Sequence, residues 1–76
     1  MMEKKLYLIV TFHTTAAAMA LEKLCHTNGI EGRLIPVPRS LTADCGMAWR
    51  GDVSTKDVLQ SLSVDLEIDG WHELMM

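Results

Sequence analysis

Two cysteines, Cys25 and Cys45, and three histidines, His13, His26 and His72, are the side chains here best suited to nucleophilic, acid–base or metal chemistry near neutral pH. The carboxylates form no recognisable acid–base pair, so Asp65, Glu67 and Asp69 read as an exposed edge. The sequence has no glycine-rich phosphate loop, dinucleotide fingerprint or nucleophile elbow. Its cysteines lack Cys-x-x-Cys spacing, and no Cys/His separation matches a familiar ligand pattern. Single thiols therefore carry the chemical interest. Cys25 falls at helical spacing among apolar residues and reads as packing. Cys45 is followed by Gly46, which lets another molecule approach the backbone, and Arg39 precedes it on the same loop.

The elements that must position Cys45 follow from pattern. Leu6 to Phe12 is a continuous β-prone run, suited to a buried central strand. Thr14 or Thr15 can cap a helix whose apolar face is Ala17, Leu21, Leu24 and Asn28, with Ala20 beside them. Asn28-Gly29 ends it, and Ile30 can fold back onto the last turn. Arg33 to Val37 is a second strand, placed at a sheet edge because Pro36 cannot donate to a ladder. Pro38 to Asp44 is a loop, and Gly46 to Arg50 alternates as a third strand. Gly51-Asp52 reads as a turn, and Ser54 with Asp57 as a capping box for a helix with face Val58, Leu59 and Leu62. Around Asp69-Gly70, either a short hairpin or a single strand fits, and a single strand over Trp71 to Leu74 is favoured.

The order β-α-β-β-α-β implies an α+β, ferredoxin-like sandwich, with two helices on one face of a four-stranded sheet. Strand direction then locates the thiol. Strand one ends at His13 to Thr15, strand two ends at the same sheet edge, and strand three starts there with Cys45. The thiol is expected beside the amino end of the first helix, with Arg39 on the adjoining loop. Free helix amides and a guanidinium both favour a thiolate over a thiol whose reference pKa is about 8.5. Asp44 acts the other way. A lone cysteine in a small domain is also, more plainly, a small buried hydrophobe.

Composition bounds the role. Residues 1–76 make one domain, 49% hydrophobic and 22% charged, hence globular. So small a chain has little room for both a core and a deep pocket, which favours a carrier or binding protein over a self-contained enzyme. A net charge of −3 argues against nucleic acid as a partner. Two cysteines point to a reducing, cytoplasmic compartment. Lys4-Lys5, the apolar run and Ala16 to Ala18 loosely mimic a signal peptide, but the run is short and reads as a strand leading into a helix. No segment reaches membrane-spanning length. An edge strand invites pairing with a second copy, as a homodimer would use.

Leu34-Ile35-Pro36-Val37-Pro38-Arg39, followed by Cys45-Gly46-Met47-Ala48-Trp49-Arg50, resembles the selenium/sulfur carrier-like family of small bacterial and archaeal domains. Phe12-His13-Thr14 before the first helix and the order of elements are similar too. The resemblance implies that Cys45 accepts sulfur or selenium as a persulfide-type adduct, with a donor or acceptor protein as partner and without a cofactor. Arg39 would then steady the anionic adduct, with Arg50 as a second cation. The cysteine-proline motif of better-known sulfur carriers is absent.

Two other readings compete. A non-catalytic module could dock a protein or small anion on the Pro36–Asp44 loop, where Arg39 would matter and Cys45 would not. A metal site could draw on His13 and Cys45 with Cys25, His26 or His72.

Overall fold

Leu6–Thr11 forms strand β1, and its period-two alternation decides the rest of the architecture. The computed structural model describes residues 3–41 and 44–76. After β1 come helix α1 (Thr15–Thr27), strand β2 (Gly32–Pro36), strand β3 (Met47–Asp52), a 3-10 turn at Val53–Thr55, helix α2 (Lys56–Leu62) and strand β4 (Gly70–Met75). The strands form one antiparallel sheet in the order β2-β3-β1-β4. This is the expected α+β, ferredoxin-like β-α-β-β-α-β sandwich. Leu8, Val10 and Phe12 cluster with Trp49 of β3, with Ala18, Leu21 and Cys25 of α1, and with Leu59 of α2. Both helices thus cover one sheet face, and Tyr7, Ile9 and Thr11 point to the other.

The ends of α1 are set by local chemistry. Thr14 has extended backbone (φ −132°) and its Oγ1 accepts from the Ala17 amide at 3.1 Å. Gly29 takes φ +68° after the helix, the Ile30 amide donates to the Cys25 carbonyl at 2.8 Å, and the Gly29 amide donates to that of His26. This is a Schellman closure, open to glycine because a left-handed backbone penalises a Cβ. The buried stripe is Ala18, Leu21 and Cys25, one position round from the expected face, with Ala17, Ala20 and Leu24 at its margin and Asn28 exposed.

Trp49 dominates the core beneath α1. A Cβ at Gly51 would stand 2.0 Å from its Cη2, and one at Gly32 would stand 2.1 Å from its Cζ2. The indole therefore occupies the space that side chains at two paired positions, Gly32 and Gly51, would need. Its Nε1 is buried without a partner among the described residues. That omission costs about 1–3 kcal/mol, which burial of so large a ring offsets.

Three expectations are corrected. Gly51-Asp52 is not a turn, since both residues complete β3. The cap after it is Asp52, whose Oδ2 accepts from the Ser54 amide at 2.9 Å and from the Ser54 hydroxyl, so Ser54 is capped rather than capping. A carboxylate is the stronger acceptor, and it wins the exposed amide. On α2 only Leu59 is buried, while Val58 and Leu62 are exposed. The final segment is one strand, and Lys5 pairs with Met76 through bonds of 3.0 and 2.9 Å. Pro36 lies on edge strand β2, opposite Met47.

Candidate functional site

β1 and β2 end, and β3, β4 and α1 begin, at one edge of the sheet. The loop from β2 to β3 is closed at its base by Val37 N–H donating to the Gly46 carbonyl, 3.0 Å. Of the Pro36–Asp44 segment, Thr42 and Ala43 lie outside the described residues. Arg39 is exposed in the turn that the Leu41 amide closes on the Pro38 carbonyl at 2.9 Å.

Cys45 stands just before β3, half-buried, with its side chain packed against the helix-covered core. Its Sγ donates to the Met47 carbonyl (3.3 Å) and accepts from the Met47 amide (3.4 Å). The main-chain amide that reaches the sulfur thus belongs to β3, while the Ala17 amide of α1 is taken by Thr14. Gly46 makes this turn at φ +75°, with no atom of the described residues within 4 Å of where a Cβ would be, so its demand is conformational rather than spatial. Cys25 differs in kind. It is 2% exposed in the core, and burial, aided by Glu22, pushes its thiol up to about 11.

His13 joins this edge together. Its Nδ1 lies 3.1 Å from Asp44 Oδ2, on the residue before Cys45, and its Nε2 lies 3.2 Å from Asp69 Oδ1, just before β4. Each ring nitrogen faces a carboxylate, an arrangement that favours the protonated imidazolium over either neutral tautomer. The hydrogen bond to Asp44, then the charge of Asp69 with smaller help from Asp44 and Glu67, raises His13 above its ordinary value near 6.5. Asp69 is held in turn. Its Oδ2 accepts from Thr11 Oγ1 at 3.0 Å, its amide donates to the Thr11 carbonyl at 2.8 Å, and His72 Nε2 lies 3.2 Å from the same hydroxyl. Asp69, expected to be a mere exposed acid, is thereby part of the cluster. Its partner lies 58 residues away in sequence, so no local pattern could signal it.

The expected site residues therefore divide. His13, Thr14, Cys45 and Gly46 gather at one sheet edge with Arg39 on the adjoining turn. Arg50 stands on the other sheet face, opposite Ile9, with its guanidinium 4.6 Å above the Tyr7 ring. Among the described residues, no three His, Cys, Asp or Glu side chains are grouped to hold a metal ion, and no helix is long and apolar enough to cross a membrane.

A family model described as "Putative Se/S carrier protein-like" matches residues 7–73, from within β1 to within β4 and through the whole of this edge. No curated protein and no solved structure matches the chain.

Proposed function

Because the chain belongs to this Se/S carrier protein-like family, we propose that it carries sulfur or selenium on Cys45 as a persulfide-type adduct and passes it between partner proteins. The observation supporting this reading is the setting of one sulfur. Cys45 is half-buried at the sheet edge and its Sγ receives a main-chain N–H from Met47 at 3.4 Å, while the other thiol is sealed in the core. An amide directed at sulfur stabilises both a thiolate and an anionic adduct. In this reading Arg39, exposed on the adjoining turn, is the cation that steadies the anionic adduct.

Loading is an exchange between sulfurs. Cys45 loses its proton to solvent, and its thiolate attacks the outer sulfur of a donor persulfide, R–S–SH. One S–S bond forms as the donor's breaks, the donor leaves as R–S⁻, and Cys45 holds –S–SH. The transferred sulfur keeps its oxidation state, so no oxidant or reductant is consumed. Transfer to an acceptor thiolate runs the same exchange in the other direction, and selenium follows the same scheme.

Incubation with a cysteine desulfurase and cysteine, followed by intact-protein mass spectrometry, tests the reading. A gain of one sulfur atom is expected, removed by a thiol reductant, lost in Cys45→Ala and kept in Cys25→Ala. No adduct under non-reducing conditions counts against it. If the loop instead serves as a docking element without chemistry, Arg39→Ala abolishes partner capture and Cys45→Ser does not.

A further inference from the structure

On the helix-free face of the sheet, Arg33 of β2 and Arg50 of β3 stand directly opposite one another. Like charges in register across an antiparallel pair are destabilising, so the arrangement calls for a compensating anion. Two acids lie near them in register, the exposed Glu31, two residues before Arg33, and Asp52, two residues after Arg50. Asp52 is already committed. Its Oδ1 lies 3.1 Å from Lys5 Nζ and its Oδ2 accepts from Ser54. Among the described residues, no carboxylate forms an ion pair with either arginine.

Arg50 is also held in place. Its guanidinium lies 4.6 Å above the Tyr7 ring, which restricts the planar fork before any ligand arrives. An open groove of about 1350 Å³ runs past Arg33, Arg50, Tyr7 and Lys5 and continues to Lys23 of α1, with Glu22, Glu31 and Asp52 also along its walls. Cys45 is not among its walls.

We propose that Arg33 and Arg50 form a binding site for a doubly charged oxyanion of the phosphate class, on the sheet face opposite the helices. Two guanidinium forks at paired strand positions suit the several acceptor oxygens of such an ion. The groove leaves room for an organic group attached to it, so the ligand is either the free ion or a phosphomonoester. The site is separate from Cys45, and its success or failure is independent of the carrier reading.

Titration of the full chain with inorganic phosphate and with phenyl phosphate, at constant ionic strength and read by amide NMR shifts, tests the proposal. Saturable binding is expected, with shifts around Arg33 and Arg50. It should weaken roughly tenfold or more in Arg33→Gln and in Arg50→Gln, and remain unchanged in Cys45→Ser. Arg50→Lys keeps the charge and an aliphatic stem beside Ile9 but removes the fork, so its weakened binding serves where Arg50→Gln fails to fold. Tighter binding of phenyl phosphate identifies an organic phosphate as the ligand class, and equal binding identifies the free ion. Absence of saturable binding to both probes, or undiminished binding in Arg33→Gln, overturns the proposal.

Discussion

His13 holds Asp44, the residue before Cys45, at 3.1 Å, and does so from the position immediately before the cap of α1. With Asp69 on its other nitrogen, the ring ties the β2–β3 loop to the start of β4. The tie is exposed, so it acts more on loop placement than on global stability.

The tie gives a pH dependence of known sign. The His13 pKa is raised in the folded protein. Its stabilisation is therefore complete below the unfolded value near 6.5 and is lost as pH rises through the higher folded value. The gap in Tm between wild type and His13→Asn should be larger at about pH 5.5 than at about pH 8.5. An equal gap at both would show that the ring acts without its charge.

Asp52 gives the opposite dependence. Hydrogen bonds from Ser54, then from Lys5, lower its carboxyl to about 2. The stabilisation is present above the ordinary value of 3.8 and disappears as pH falls through about 2. Asp52→Asn should lower Tm at neutral pH, with the deficit shrinking in strong acid. A deficit that persists unchanged in acid would assign the effect to shape rather than charge.

Thiol labelling should separate the two cysteines. Cys25 is buried, with its thiol pushed up to about 11. Iodoacetamide should therefore modify one site per native chain and two per denatured chain, with native labelling abolished in Cys45→Ser. Native labelling of Cys25 would show that the core opens readily.

Gly46→Ala and Gly29→Ala form a matched pair. Both glycines have positive φ, +75° and +68°, and neither has an atom of the described residues within 4 Å of a new Cβ. Each substitution should cost about 1–2 kcal/mol from backbone strain alone, read by urea unfolding. Only Gly46→Ala should also reduce sulfur loading, because it disturbs the turn that sets Cys45 against Met47. Equal loading in both variants would detach the turn from the chemistry.

Gly51→Ala tests crowding instead. Its Cβ would meet Trp49 Cη2 at 2.0 Å. Displacing the indole should cost about 3 kcal/mol or more, and Trp49→Phe in the same chain should recover part of it. A neutral effect in urea unfolding would show that the ring has room to move.

Much of the fold was legible because its signals are local. The apolar run at Leu6, the Thr14 cap and the Asn28-Gly29 closure each depend on near neighbours, and Pro36 marks an edge by its missing donor. Strand direction was then enough to bring His13, Thr14 and Cys45 to a common sheet edge. What stayed hidden depends on register between distant segments. Gly51 looked like a turn residue because glycine usually marks one, whereas here it clears space for Trp49. Asp69 looked like a solvated acid because its partners, Thr11 and His13, lie near the other end of the chain. Arg50 looked like a neighbour of Cys45 in sequence, but strand alternation turns it to the opposite face.

The bond from Val37 N–H to the Gly46 carbonyl has an evolutionary consequence. It completes strand pairing before the intervening segment departs, so that segment is grafted onto a finished scaffold. Lengthening such an excursion adds little entropy cost, about 0.6 kcal/mol for each doubling. Descendants of this domain can thus acquire new recognition loops while inheriting the same sheet.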